Sequence, residues 1–155
     1  MTDNTSNINS YLCFKLGNEF FAADVRSTLK ILQLSEITKV PHAPSNMKGV
    51  INHHGNVLPV VDLNQTLELP ISEVGSNTCI IIMSVGGEKE TISIGAIVDE
   101  VLSVEEIADD SIKDPPTMGG NHKLDYIKGV FENNDLFVMV LDIDKIFENT
   151  SLQNN

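Results

Sequence analysis

An internal repeat constrains this chain more than any other feature. Residues 48–67, KGVINHHGNVLPVVDLNQTL, align without a gap onto residues 128–147, KGVFENNDLFVMVLDIDKIF, at an offset of 80. A lysine, a glycine, two valines and an aspartate are identical, and most other apolar positions keep their character. Upstream, residues 22–32 align more weakly onto residues 95–105 at an offset of 73, so the second copy carries seven extra residues, placed near Met118, Gly119, Gly120 and Asn121. The repeat predicts a tandem of two similar β units of roughly 70 residues, each burying little apolar surface alone and therefore sharing an interface.

Short apolar runs broken by Gly, Asn and Pro predict many strands and few helices. In residues 11–16, Leu12, Phe14 and Leu16 can face a core while Tyr11, Cys13 and Lys15 take the other side. Gly17 and Asn18 then mark a hairpin into residues 19–25. Residues 79–85 and 136–141 are apolar on both faces, as strands held between layers are. Helices are expected only at residues 62–67 and 142–148, each opened by an Asp suited to N-capping. Pro59 lacks a ladder donor and is expected at an edge or bulge. Residues 1–9 and 150–155 are read as disordered tails around one domain, residues 10–149. Short antiparallel strands leave edges, and closing each sheet into a small barrel would remove them. A two-barrel all-β fold follows.

The chain carries a formal net charge of -12. An acid excess of that size repels phosphate backbones and anionic lipid, so nucleic-acid and membrane-surface binding are not expected; partners should be basic or apolar. Residues 1–70 hold 6 acids and 5 bases, whereas residues 71–155 hold 16 and 5, with nine acids between Glu88 and Asp114. Partners are expected on the nearly neutral first half through apolar contacts, and salt-sensitive binding would implicate the acidic half. No apolar run nears the roughly 20 residues of a membrane span, and the polar N-terminus has no signal-peptide pattern, so a cytoplasmic protein is expected.

Signs of catalysis are sparse. Cys13 and Cys79 sit in apolar segments without metal-ligand spacing and read as buried free thiols. His53 and His54 would point to opposite sides of a strand, and His42 and His122 stand in no HExxH pattern. Neither Gly86-Gly87 nor Gly119-Gly120 belongs to a phosphate-binding loop, and Arg26 is the one arginine. No cofactor is expected. The enzyme alternative is a small metal-dependent hydrolase using His53 or His54 with nearby acids. A binding protein fits the pattern better, with Lys48, Gly49, Val50 and the loop Asn52-His53-His54-Gly55 as its candidate surface. Gly49 and Gly129 precede strands and admit close backbone approach, by another chain or by the molecule itself. Gly55 suits a hairpin turn, braced by Asn52.

Those residues carry a resemblance: residues 48–63, KGVINHHGNVLPVVDL, resemble the KGVINLRGxVxPVVDL signature of the CheW family. The likeness extends to residues 11–25, 41–49, 94–107, Pro115-Pro116 and 127–147. It implies two intertwined five-stranded SH3-like β-barrels with short helices, and a non-catalytic scaffold joining the cytoplasmic tip of a methyl-accepting chemoreceptor to the regulatory domain of a CheA-type histidine kinase. A cytoplasmic location at receptor arrays is implied as well. By the same resemblance Lys48, Gly49, Val50, Asn52 and Gly55 retain the signature, and a helical receptor tip would dock in a groove near the barrel junction. The chain departs from the family at three places. His54 stands where Arg is usual, Lys30 in the segment Thr28-Leu29-Lys30-Ile31 stands where Glu is usual, and Asn64 replaces the Arg after DL. Thr28, Lys30 and His54 complete the candidate partner surface. If the family's Glu and Arg form an ion pair, Lys30 and a protonated His54 would instead repel. A divergent scaffold of another chemosensory or motility pathway, with altered partners, is the alternative.

Overall fold

The computed structural model describes residues 7–86, 91–115 and 126–148. The first repeat forms β1 (Ile8–Leu16), β2 (Glu19–Asp24), β3 (Thr28–Gln33), β4 (Met47–His53), β5 (Asn56–Asp62) and the one-turn helix α1 (Leu63–Thr66). The second forms β6 (Cys79–Val85), β7 (Ile92–Val98), β8 (Glu100–Ala108), β9 (Ile127–Asn133), β10 (Leu136–Leu141) and α2 (Ile143–Glu148). Both helices open as their sequence predicts: Asp62 accepts the Asn64 N–H and Asp142 accepts the Lys145 N–H. None of the described helices is long and apolar enough to cross a membrane.

The repeats do not fold as a tandem. One sheet runs β8-β1-β2-β10-β9 and the other β3-β6-β7-β5-β4. Each repeat lends its first hairpin to the other: β1 pairs with β8 and β2 runs parallel to β10, while β6 pairs with β3 and β7 runs parallel to β5. The sheets are intertwined, as the resemblance implies, but they do not coincide with the halves of the chain. The acidic β8 lies beside β1, so the contrast between a neutral first half and an acidic second half does not divide the sheets. The reason is that charge bias follows chain order, whereas hydrogen-bonded edges are satisfied by whichever strand the topology brings alongside.

Closed barrels are not formed either. In each sheet the segment that follows one edge strand reaches the other edge through a single bridge, Thr38 with Val50 of β4 and Lys113 with Val130 of β9, with N–H to carbonyl distances of 2.8–2.9 Å. A strand bridge of one residue is enough to curl a twisted sheet over a small core without a continuous ladder. Three apolar clusters result. Tyr11, Cys13, Ala22, Phe131, Val138 and Val140 fill the curl of the first sheet. Ile51, Leu58, Val60, Ile80, Ile82 and Ile97 fill that of the second. The largest cluster lies between the sheets, where Leu12, Phe14, Leu16 and Phe21 meet Ile81, Met83, Val85 and Ile94 under Phe147 of α2. β6 therefore buries both faces, as its composition predicts, whereas β10 does so only toward its end: Leu136 and Phe137 are 45% and 68% exposed.

Several boundaries differ from expectation. β1 begins at Ile8, opposite Ala108, and so includes Ile8 and Asn9, which composition had assigned to the tail. Pro59 sits on β5, an interior strand between β4 and β7, not on an edge or at the β4–β5 bulge. Its partner Val50 turns its own N–H and carbonyl outward to Thr38, and the β5–β7 ladder starts only at Val60. The missing donor thus falls where no ladder is formed. The proposed insertion at 118–121, Pro116 and His122 lie outside the described residues.

Candidate functional site

The signature segment is a hairpin whose turn shapes its surface. His54 and Gly55 have φ of 53° and 85°, a pair of positive values that matches the right-handed twist of β4 and β5. Asn52 braces this turn, its Oδ1 accepting the Gly55 N–H at 2.9 Å. Asn134 and Asp135 form the corresponding turn of the second repeat with φ of 53° and 67°.

The other signature residues divide by role. Gly49 is buried with φ 152°, and a Cβ there would run into the Thr38 carbonyl, so its close approach is to the chain itself. Val50 makes the Thr38 bridge and is half-buried; Lys48 beside it is exposed. Thr28 is half-buried and its hydroxyl donates to the Val25 carbonyl at 3.1 Å. Gly129 repeats the Gly49 arrangement against Ile112 and the Lys113 carbonyl.

Lys30 and His53 come together although β3 and β4 are opposite edges of their sheet. Both line an open groove of about 650 Å³ whose apolar surface includes Leu29, Val57, Pro59 and Ile92. Leu29 and Val57 are 57% and 73% exposed, which is high for aliphatic side chains on strands. The imidazoles of His53 and His54 lie with centroids 4.2 Å apart at 59°. Desolvation, then the neighbouring His54, then Lys30 push the His53 pKa below the usual imidazole value. Repulsion from Lys30 therefore falls on His53, whereas sequence placed it on His54. His54 extends from the turn; His53 ends the strand and faces β3 across the curl.

Sequence reasoning included His53 in its candidate loop but missed Leu29 and Val57 as groove residues. In NVLPVV both faces are largely apolar, so alternation could not say which side is exposed, and in TLKIL it points the wrong way, because Leu29 and Ile31 share the apolar face and are exposed. Asn64, where the family's Arg would stand, is 2% exposed, and its Nδ2 donates to Asp99 at 3.2 Å. A buried amide there takes part in a structural contact and leaves no cation on the surface. Arg26 is committed to a 2.6 Å ion pair with Asp24, whose carboxyl that guanidinium holds below its usual range.

Among the described residues no three His, Cys, Asp or Glu side chains are placed to share a metal ion. Cys13 and Cys79 are free, and burial pushes the Cys13 thiol up to about 11, well away from thiolate reactivity.

The CheW-like domain family matches residues 10–151. The Thermotoga maritima "Chemotaxis protein CheW" is 28% identical over 142 residues, covering 92% of this chain and 89% of that protein. The Myxococcus xanthus "Protein FrzA" is 27% identical over 140 residues, covering 89% and 84%. In three dimensions the crystal structure of the scaffolding protein TtCheW from Thermoanaerobacter tengcongensis superposes with a TM-score of 0.79 at 25% identity, covering 92% of this chain and 94% of that one. Signature hairpin, exchanged sheets and a match over nearly the whole length agree, and the chain belongs to the CheW-like domain family.

Proposed function

We propose that this protein is a non-catalytic adaptor that couples a chemoreceptor to a CheA-type histidine kinase from the cytoplasm. The observation that carries the reading is the family match across residues 10–151 together with a fold shared with a solved CheW scaffolding protein. Supporting it, the chain presents open, partly apolar grooves on a two-sheet frame, which suits binding another protein. Thr28, Lys30, Lys48, Val50, Asn52, His54 and Gly55 are assigned to the partner surface, with Gly49 supporting them from below. Calorimetry tests this directly: full-length protein is titrated with a receptor cytoplasmic hairpin and, separately, with a kinase regulatory domain. Binding of both at tens of micromolar or tighter is expected. If neither binds, the coupling role fails.

A second reading is favoured by Lys30, which lines the groove with His53 and stands where the family usually has Glu: a scaffold of another chemosensory or motility pathway with altered partners. Lys30→Glu combined with His54→Arg restores the usual family residues. A gain in receptor affinity supports this reading, and unchanged affinity removes the altered charges as its basis.

A further inference from the structure

The second repeat builds its own version of that groove, with opposite charge. Val57 and Pro59 of β5 correspond to Phe137 and Met139 of β10 at the offset of 80. Phe137, Met139 and Val130 form an apolar floor in an open groove of about 880 Å³. Phe137 is 68% exposed, the largest apolar side chain so placed among the described residues. Around this floor stand Glu19, Asp110, Asp114 and Glu132, with Lys113 as the single cation among the described lining residues. Among the described residues, the related groove on the other sheet has Lys30 and His53 in its lining and no carboxylate.

We infer that the Phe137 groove is a docking surface for a cationic, apolar protein segment, one that seats an aliphatic or aromatic side chain on Phe137 and Met139 while lysine or arginine groups meet the carboxylate rim. Aromatic anchors ringed by polar groups dominate binding energy at protein interfaces, because the rim excludes water from the apolar contact. The rim adds selection by sign: four carboxylates around one apolar floor attract a cationic partner and oppose an anionic one. This assignment rests on groove chemistry and stands whether or not the chain joins a receptor to a kinase.

The test uses the full-length protein and two fluorescein-labelled heptapeptides, one alternating lysine with leucine and one alternating glutamate with leucine, read by fluorescence anisotropy. The lysine peptide binds and the glutamate peptide does not. Phe137→Ala weakens the lysine peptide roughly tenfold, a truncation that an exposed side chain tolerates. Asp114→Lys with Glu132→Lys weakens it similarly and flattens its dependence on salt. Val57→Ala, in the other groove, leaves it unchanged. Equal binding of the two peptides, or full affinity in both the Phe137 and the double charge variant, overturns the proposal.

Discussion

At the scale of single residues, two glycines hold the sheets curled. A methyl at Gly49 would overlap the carbonyl oxygen of Thr38 and lie 2.8 Å from the Ile37 side chain, and a backbone atom cannot rotate away. Gly49→Ala is expected to cost about 3 kcal/mol and Gly129→Ala about 1–2, since the nearest obstacle at Gly129 is the Ile112 side chain. Denaturant unfolding of the two variants checks the order; equal losses would show that the Thr38 bridge is not specially constrained. His53 gives the second prediction at this scale. A folded-state pKa lowered by desolvation, His54 and Lys30 means the unfolded chain binds protons more readily. Stability is therefore greatest above the ordinary imidazole pKa and declines as pH falls from there toward the folded value. Lys30→Glu replaces a repelling charge with an attracting one, so the His53 midpoint in an NMR titration should rise. A midpoint that does not move would mean that Lys30 and His53 do not share the groove.

At the scale of elements, short polar links tie each hairpin turn to a helix of the frame. Asp99, which ends the β7 segment, accepts from the Gly17 N–H in the β1–β2 turn, from the Ser72 hydroxyl at 2.6 Å and from Asn64 of α1. In the other repeat Asp144 of α2 accepts only the Gly86 N–H at 3.0 Å among the described contacts. Asp99→Ala would strip the remaining partner from a buried amide whose Oδ1 already has none among the described residues. A loss of about 2–4 kcal/mol is expected, against about 0.5–1.5 for Asp144→Ala. Thermal unfolding of the pair decides it, and comparable shifts would count against Asp99 as a shared anchor. The same elements show what was legible in the sequence. Composition placed β6 between layers and Asp62 and Asp142 at helix starts, because burial on two faces and a capping side chain are local signals, but it also placed the exposed start of β10 there. Pro59 was misjudged, and Leu29 passed over, because edge, interior and exposed face depend on the neighbouring strand, which lies far away in sequence. The Asn52–Gly55 turn was readable from its residues, whereas the meeting of Lys30 with His53 required the curl.

At the scale of the whole molecule, the exchange of hairpins makes the two repeats interdependent. Cutting the chain between Gly75 and Ser76, both exposed in the link from α1 to β6, gives fragments that each hold one complete repeat. Sequence alone predicts two β units that share an interface, each closing its own sheet. In the structure the first fragment keeps β3, β4 and β5 of one sheet but loses β6 and β7, which join β3 to β5. The second fragment loses β1 and β2, which join β8 to β10. Each would also expose half of the cluster between the sheets, which unites Leu12, Phe14 and Phe21 with Ile81, Met83 and Ile94. Below about 80 residues a chain has little margin to absorb either loss. Neither fragment alone should show cooperative unfolding as a monomer, and equimolar mixing should restore one cooperative transition whose midpoint rises with concentration. A monomeric fragment that unfolds cooperatively by itself would show that a repeat can satisfy its own edges. The exchanged hairpins would then be one arrangement among alternatives, and the two grooves could not be held at a fixed separation by the frame.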